Sequence, residues 1–200
     1  MINLKQQAAM RALDYVQNGM VLGLGTGSTT AYFVDFLGEH LASGALNNIK
    51  GVPTSVTTAE QAKKWGIPLV NLSQYPKLDL AIDGADEVDP TLNLIKGLGR
   101  AMLREKIVAM HAEHFIVVVD HSKIVPKLGD LVPLPVELIT FEAESHIQWL
   151  NTLGCNAELW LEEDGSPVIT DNGNYLARCW FDNGITDASS LAQTLAMRPG

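Results

Sequence analysis

The chain has 200 residues and a mass of 21.7 kDa, with 46% hydrophobic and 18% charged residues. This composition supports a buried core and excludes a disordered chain, a collagen-like repeat and a coiled coil. The formal net charge of −9 and the pI near 4.9 argue against nucleic acid as the main partner, because a phosphate backbone requires a basic surface.

The sequence carries no feature that directs it to a membrane. No apolar run approaches the roughly 18 residues that span a bilayer, and residues 1–7 lack the apolar core of a signal peptide. Cys155 and Cys179 are too few for a disulfide scaffold, and free thiols suit a reducing compartment. We therefore expect a cytoplasmic protein without membrane partners.

Short apolar segments alternate with helix-like segments from residue 1 to about residue 120. The predicted strands lie at 20–24, 49–52, 67–72, 78–82 and 115–119, and the predicted helices at 4–16, 29–41, 58–65 and 100–112. This alternation predicts an α/β fold with a Rossmann-like, mostly parallel sheet and helices on both faces. Right-handed crossovers would place the loops after the strands at one edge, where ligands bind.

The pattern changes after Asp120, and the proline- and glycine-rich residues 126–135 predict a boundary. A strand, a helix, two strands and a helix are predicted at 136–139, 143–153, 157–161, 175–181 and 188–196. This order is that of a smaller α+β, ferredoxin-like domain without its last strand. We predict a Rossmann-like catalytic domain at 1–127 and this small domain at 128–200, in a chain that continues past Gly200.

A glycine-rich loop, Gly-Leu-Gly-Thr-Gly-Ser-Thr-Thr at residues 23–30, follows the first predicted strand and opens a helix. Glycines let backbone N–H groups approach an anion, and a helix N-terminus carries partial positive charge. The spacing matches neither the dinucleotide-binding motif nor the P-loop, so a single phosphate is favoured. The alternative is a purely structural turn from strand to helix.

An acidic segment, Asp-Gly-Ala-Asp-Glu-Val-Asp at residues 83–89, follows the fourth predicted strand. Four mutually repelling carboxylates favour a functional use over a structural loop. One alternative is a hard-cation site, although the EF-hand spacing is not met. Another is hydroxyl recognition and proton transfer on a polyol, and a third is a solvated acidic turn.

Glu105 lies on a predicted helix that follows Lys96-Gly97-Leu98-Gly99-Arg100. A helical projection places apolar residues on both sides of this helix, which predicts that both faces are buried. A carboxylate among apolar side chains is expected to have a raised pKa, as suits a group that takes and returns protons. The alternative is a structural glutamate that reaches a partner on another element.

These loops together resemble those of ribose-5-phosphate isomerase, type A. The resemblance is carried, in this order along nearly the whole chain, by residues 25–29, 83–87, 96–99, Arg104-Glu105-Lys106, Pro133-Leu134-Pro135-Val136-Glu137 and Thr170-Asp171-Asn172-Gly173-Asn174. Leu98 stands where many members of the family have glycine, which alters how closely the backbone can approach a ligand in that loop.

The resemblance implies interconversion of D-ribose 5-phosphate and D-ribulose 5-phosphate in the non-oxidative pentose phosphate pathway, with no metal or organic cofactor. It makes Glu105 the acid/base of a cis-enediolate mechanism and Lys96 the stabiliser of oxyanion charge. It also makes Asp83 or Asp86 the group that assists ring opening and holds hydroxyls. The implied substrate-binding residues are Thr26, Gly27, Ser28, Thr29, Asp83, Gly84, Ala85, Asp86, Lys96, Gly97, Leu98, Gly99 and Lys123. Of these, Ser28, Thr29 and Lys123 are expected to lie nearest the phosphate.

The resemblance also implies a homodimer or homotetramer that acts on a small-molecule sugar phosphate. Two other functions fit the sequence less well. A sugar-phosphate sensor would carry a DNA-binding segment, which the acidic N-terminal half does not offer. An amino-sugar phosphate deaminase would want a histidine beside its acidic loop, and residues 83–89 contain none. His111 and His114 have no third ligand nearby in the sequence, so we do not predict a zinc site there.

Overall fold

The computed structural model describes residues 3–200, which form two compact units. One unit contains the chain up to Gly84 together with Ala101–His121, and the other contains Ala85–Arg100 and Ser122–Gly200. The chain thus passes between the units at three positions, whereas a single boundary after residue 127 is expected from the sequence. That domain division stays a prediction.

The helices and strands alternate along much of the chain. They are α1 (Leu4–Leu13), β1 (Val21–Leu24), α2 (Ser28–Ala42), β2 (Lys50–Pro53), α3 (Val56–Lys64), β3 (Leu78–Asp83), β4 (Glu87–Val88), β5 (Leu94–Ile95), α4 (Met102–Met110), β6 (Ala112–Val117), a 3-10 turn (His121–Lys123), β7 (Leu134–Leu138), α5 (Ala143–Asn151), β8 (Asn156–Leu159), β9 (Tyr175–Trp180) and α6 (Ala188–Met197).

The first unit is built around a parallel sheet with the strand order β2-β1-β3-β6. On one face, Leu22 and Ile82 belong to a buried cluster with Phe33 of α2. Val21 belongs to a second cluster with Val108 of α4. Alternate residues of β1 thus join different buried clusters, as expected for a sheet covered on both sides. The predicted Rossmann-like architecture is confirmed.

The register of the parallel strands determines which loops meet. Leu24 of β1 lies opposite Pro53 of β2 and Ile82 of β3, and Asp83 lies opposite Val117 of β6. Parallel strands end at the same edge, so the segments that follow β1, β2 and β3 are brought side by side. The first unit therefore collects its chemistry-bearing residues at the carboxyl edge of the sheet.

The second unit contains the short antiparallel pair β4–β5 and an antiparallel sheet with the order β7-β9-β8. Helix α5 covers this sheet, with Leu150 packed in one buried cluster with Leu138 and Ala177. The antiparallel sheet with its helix confirms a smaller α+β part. The β4–β5 pair was not predicted, because two-residue strands carry no measurable periodicity.

The predicted strand at 67–72 is wrong, because this segment pairs with β2 at one residue only. Gly51 donates its N–H to the carbonyl of Pro68 at 2.9 Å and accepts the N–H of Val70 at 3.0 Å. Pro68 has no N–H of its own, so it cannot extend the ladder. The edge of the sheet at β2 is therefore covered by a single bridge and irregular chain.

The prediction that both faces of the Glu105 helix are buried is also wrong. Glu105 and Val108 are each 4% exposed, whereas Ile107 is 42% and Met110 77% exposed. Helix α4 therefore places its carboxylate on the side that packs against the sheet. Its other apolar side is open within this chain.

Candidate active site

The glycine loop after β1 ends at the N-terminus of α2. Gly27, the residue before the first helical turn, has φ 118°, a backbone conformation that favours glycine. No side chain among residues 3–200 caps this helix. The N–H groups of the first turn and the helix dipole make such a terminus suitable for a phosphate.

A lysine that was not predicted from the sequence lies beside this helix terminus. Lys5 of α1 donates a hydrogen bond from Nζ to Oγ of Ser28 at 2.8 Å. Lys5 is 23 residues from Ser28, so only the packing of α1 against α2 reveals the contact. This contact places the positive charge of Lys5 beside Ser28, the residue that opens α2.

The hydroxyl of Thr26 belongs to a cluster that was also not predicted. Its Oγ1 lies 2.7 Å from Oγ1 of Thr54, 2.8 Å from Oγ of Ser55 and 3.2 Å from Oγ1 of Thr58. The last three are buried, and Thr58 donates to the carbonyl of Gly25 at 3.0 Å. The run Thr-Ser-Val-Thr-Thr directly after a predicted strand was the sequence signal for this cluster. These hydrogen bonds hold the glycine loop in place.

Asp83 fixes the same loop from the neighbouring strand. This carboxylate is 2% exposed, and its Oδ1 accepts the backbone N–H groups of Thr26 at 3.2 Å and Gly84 at 2.7 Å. Gly25 approaches so closely that a Cβ there would lie 2.6 Å from the carbonyl oxygen of Ile82 and closer still to the Asp83 carboxylate. Position 25 therefore requires glycine, because the backbone of β3 and the Asp83 carboxylate leave no room for a Cβ there.

Glu105 and Asp83 line the same narrow gap, which is too small in this structure to hold a water molecule. The residues that line it include Glu105, Asp83, Gly25, Thr54 and Phe115. Both carboxylates are almost completely buried, and Glu105 lies in the first turn of α4. The first unit therefore brings together the glycine loop and two of the predicted catalytic carboxylates. One carboxylate that holds a hydroxyl and one that moves a proton are what polyol chemistry requires.

Two of the four carboxylates in the acidic segment have structural roles instead. Glu87 is fully buried and accepts the backbone N–H groups of Gly129, Leu131 and Val132 at 2.5, 2.6 and 2.9 Å. Asp89 accepts the backbone N–H groups of two residues of the β4–β5 turn, both at 2.9 Å. Neither Glu87 nor Asp89 is among the predicted site residues, which in this segment are Asp83, Gly84, Ala85 and Asp86.

The hydrogen bonds of Asp89 also determine its ionisation. Desolvation is the largest single effect and acts to raise the pKa, but the hydrogen bonds donated by Asn93 and Thr91 together outweigh it and lower the pKa below its ordinary value. Asp89 is therefore a charged cap of the turn.

Asp86 connects the acidic segment to the Lys96 loop within the second unit. Its Oδ2 accepts the N–H of Leu98 at 2.9 Å, and its own N–H donates to the carbonyl of Ile95 at 2.8 Å. Leu98 contributes only its backbone N–H to this hydrogen bond. The bond therefore forms although leucine stands where many members of the family have glycine. Asp86 and residues 96–99, all predicted site residues, are brought together.

Lys123 ends the 3-10 turn and lies in the second unit, next to a segment that pairs with β4. Ile124 bridges Val88, and the N–H of Val125 donates to the carbonyl of Val88 at 3.0 Å. This pairing places the chain directly after Lys123 beside β4, which begins one residue after Asp86.

Two further properties concern metals and membranes. Across the described part of the chain, no three or more His, Cys, Asp and Glu side chains are grouped so that they could hold a metal ion. His111 instead shares a hydrogen bond with the carbonyl of Ile107, at 2.8 Å from Nδ1. None of the helices within residues 3–200 has the length and apolar character needed to cross a bilayer.

Comparison with known proteins shows the family to which this chain is similar. The sequence model of the family described as Ribose 5-phosphate isomerase A (phosphoriboisomerase A) matches residues 50–200. Ribose-5-phosphate isomerase A of Thermosynechococcus vestitus is 52% identical over 98% of this chain and 84% of its own length. The probable chloroplastic ribose-5-phosphate isomerase 3 of Arabidopsis thaliana is 46% identical over 99% of this chain and 74% of its own.

A solved structure of the same family is also similar to this chain. The D-ribose-5-phosphate isomerase determined in complex with phospho-erythronic acid superposes with a TM-score of 0.95 and 43% identity, covering 100% of this chain and 88% of that one. By name, all of these relatives are aldose–ketose isomerases. The chain belongs to the ribose 5-phosphate isomerase A family.

Proposed function

We propose that this chain interconverts D-ribose 5-phosphate and D-ribulose 5-phosphate, with Glu105 as the acid/base of a cis-enediolate mechanism. The observation that carries the proposal is the position of two buried carboxylates, Glu105 and Asp83, on one narrow gap beside the glycine loop. The names of the family and of its relatives support the substrate pair.

The proton transfer is assigned to Glu105 alone. In the aldose-to-ketose direction its carboxylate removes the proton on C2 of the open-chain aldehyde. The C2–H electron pair forms the C1–C2 double bond, and the carbonyl pair moves onto O1, which gives the enediolate. Glu105 then returns the proton to C1, while the C2 hydroxyl loses its proton and O1 gains one. The reaction is redox-neutral, so its balance requires no cofactor.

Other predicted residues take supporting roles in the proposal. Lys96 would stabilise the negative charge that develops on oxygen in the enediolate. Asp83 and Asp86 would hold sugar hydroxyls and assist opening of the furanose ring. Both carboxylates also accept backbone N–H groups, which supports fixed orientations for them. The residues Gly84, Ala85, Gly97, Leu98 and Gly99 would contact the sugar through their backbones.

The phosphate would bind at the N-terminus of α2, where Gly27, Ser28 and Thr29 offer backbone N–H groups and hydroxyls. The contact of Lys5 with Ser28 supports Lys5 as a cation for this phosphate. Lys123 is proposed as a second phosphate neighbour, as the family resemblance implies. A phosphate group bound in this way anchors the substrate equally before and during the reaction.

The wider setting of the reaction is also proposed. The substrate pair belongs to the non-oxidative branch of the pentose phosphate pathway, and the family resemblance implies a homodimer or homotetramer. The two free thiols of the chain fit a reducing compartment such as the cytoplasm.

The direct test is the formation of ribulose 5-phosphate from ribose 5-phosphate by the purified chain, with and without EDTA. We expect turnover that EDTA does not change. Release of ammonia from an amino-sugar phosphate serves as the control for the deaminase alternative. A folded protein that fails to isomerise ribose 5-phosphate would overturn the proposal, and loss of activity with EDTA would overturn its metal-free chemistry.

A further inference from the structure

Arg100 closes the loop that carries Lys96, and it does so with an unusual backbone. Its φ is 65°, in the left-handed region that residues with a Cβ rarely adopt, and its N–H donates to the carbonyl of Gly97 at 2.9 Å. Such a conformation persists only where surrounding contacts hold it, and it occurs often at functional sites.

Those contacts come from the segment that follows β8. The guanidinium of Arg100 donates from Nη1 to Oε1 and from Nη2 to Oε2 of Glu162, at 2.5 and 3.1 Å. Its Cζ also lies 5.2 Å from the ring centroid of Trp160. The two paired side chains are 40% and 42% exposed. A bidentate pair together with a cation–π contact nevertheless restrains a guanidinium more than a single exposed ion pair does.

The segment that receives Arg100 is itself held by main-chain hydrogen bonds. Trp160 donates its N–H to the carbonyl of Leu176 in β9 at 2.7 Å, and the N–H of Val168 donates to the carbonyl of Trp160 at 2.8 Å. The N–H of Glu162 donates to the carbonyl of Ser166 at 2.8 Å. Residues 160–168 thus form a hairpin that extends the β8–β9 sheet, and it offers a rigid support for Arg100.

We propose that Arg100 is a positioning residue for isomerisation, which holds residues 96–100 against the 160–168 hairpin and thereby orients Lys96. The proposal rests on the function proposed above. Asp86 holds the middle of the loop through the N–H of Leu98, and Arg100 holds its end, four residues after Lys96. A charge that stabilises the enediolate acts mainly in the transition state, so a loosened loop should lower kcat more than it raises KM.

The chain offers a matched control in the same network. Arg178 lies beside the same indole, with its Cζ 5.7 Å from the ring centroid of Trp160, and pairs with Glu158 at 2.7 Å. Each of the two glutamates thus pairs with an arginine that lies beside Trp160. Glu162 pairs with Arg100 at the end of the Lys96 loop, whereas Glu158 pairs with Arg178 of β9. The comparison of Glu162→Gln with Glu158→Gln separates loop positioning from general loss of surface charge.

The experiment measures kcat and KM for ribose 5-phosphate in Glu162→Gln, Arg100→Gly and the double variant. We expect each to lower kcat at least about fivefold, because small misplacements of a catalytic group have large effects, with KM changed less than about twofold. The double variant should be no worse than the poorer single one, since both changes break one contact. Glu158→Gln should behave as wild type, and Arg100→Lys should retain only part of kcat.

Arg100→Gly is the decisive variant, because glycine accepts φ 65° without strain. If Arg100 served only the turn, glycine would leave turnover unchanged, and that result would overturn the proposal. Equal effects of Glu158→Gln and Glu162→Gln would also overturn it.

A second readout does not depend on isomerase activity. Amide hydrogen exchange of a peptide covering residues 96–100 should accelerate in Glu162→Gln and Arg100→Gly but not in Glu158→Gln. If wild type is inactive and this exchange pattern is seen, the proposed function fails while Arg100 still holds the loop. If wild type is active and exchange is unchanged in all variants, the positioning role fails alone.

Discussion

Asp83 accepts the backbone N–H of Thr26 at 3.2 Å, so the carboxylate that ends β3 also fixes the loop that follows β1. The same oxygen accepts the N–H of Gly84 at 2.7 Å. One carboxylate thereby sets the shape of the glycine loop and lines the narrow gap that Glu105 also lines.

This double role predicts different outcomes for two replacements of Asp83. Asp83→Asn keeps a carbonyl oxygen that can accept the two N–H groups, so stability should change little while activity is lost with the charge. Asp83→Ala leaves the N–H groups of Thr26 and Gly84, both half-buried, without this acceptor. A fully buried unpaired donor costs about 1–3 kcal/mol, so we expect a loss at the lower end of that range for each. Urea unfolding of both variants, beside an isomerase assay, checks the difference. Equal stability of the two variants would contradict it.

Close packing at the glycine loop predicts that Gly25→Ala is strongly destabilising. Its Cβ would lie 2.6 Å from the carbonyl oxygen of Ile82, and backbone must move to admit it. We expect a loss of at least about 1–3 kcal/mol, as for other overpacked sites. At Gly84 the nearest atom to an added Cβ is the carbonyl oxygen of Val118 at 3.8 Å. Gly84→Ala is therefore the control, and denaturant unfolding should show it near wild type.

The contact of Lys5 with Ser28 predicts a change in substrate binding. Lys5→Met should raise KM for ribose 5-phosphate about tenfold, which corresponds to about 1.4 kcal/mol, with kcat nearly unchanged. Lys123→Met should change KM in the same direction. The control is Lys64→Met, which removes an exposed charge of α3. A large fall of kcat at constant KM would instead give Lys5 a role in the chemistry.

The two thiols of the second unit, Cys155 and Cys179, are expected to differ in their reactivity toward alkylating reagents. The hydrogen bond with Cys179 lowers the pKa of Cys155, whereas the same bond, together with burial, raises the pKa of Cys179. Because the thiolate is the reactive form, iodoacetamide should modify Cys155 at a lower pH than an ordinary cysteine and leave Cys179 unmodified. Mass spectrometry between about pH 6 and pH 10 measures this.

The control for the thiol pair is Cys179→Ala, which removes the hydrogen-bond partner of Cys155. Alkylation of Cys155 should then move to higher pH. An unchanged pH profile in this variant would show that Cys179 does not determine the reactivity of Cys155.

The sequence was sufficient for four strands of the parallel sheet, because most of them carry an apolar run. It also predicted a fifth strand at 67–72, where the chain makes only one bridge to β2. It was not sufficient where the partner is distant in the chain. Glu87 binds the backbone of residues 129–132, and its structural role has no local signature. The contact of Lys5 with Ser28 depends on how two helices pack. The exposed side of α4, including Met110, could not be told from a buried one by apolar periodicity alone.

Glu105 is the residue on which the proposed mechanism depends, because it is assigned the proton that moves between C1 and C2. Glu105→Gln keeps the shape of the side chain and removes the base, and loss of a general base typically lowers the rate about 10²- to 10⁴-fold. Calorimetry should show that ribose 5-phosphate still binds, because the glycine loop and Lys5 are unchanged.

The most direct measurement is the incorporation of solvent deuterium into the sugar during turnover in D₂O. We predict deuterium at C1 or C2 with wild type and none above background with Glu105→Gln, whose kcat collapses. If Glu105→Gln retains more than about a tenth of the wild-type kcat and still incorporates deuterium, then Glu105 is a structural carboxylate and the proposed mechanism is wrong.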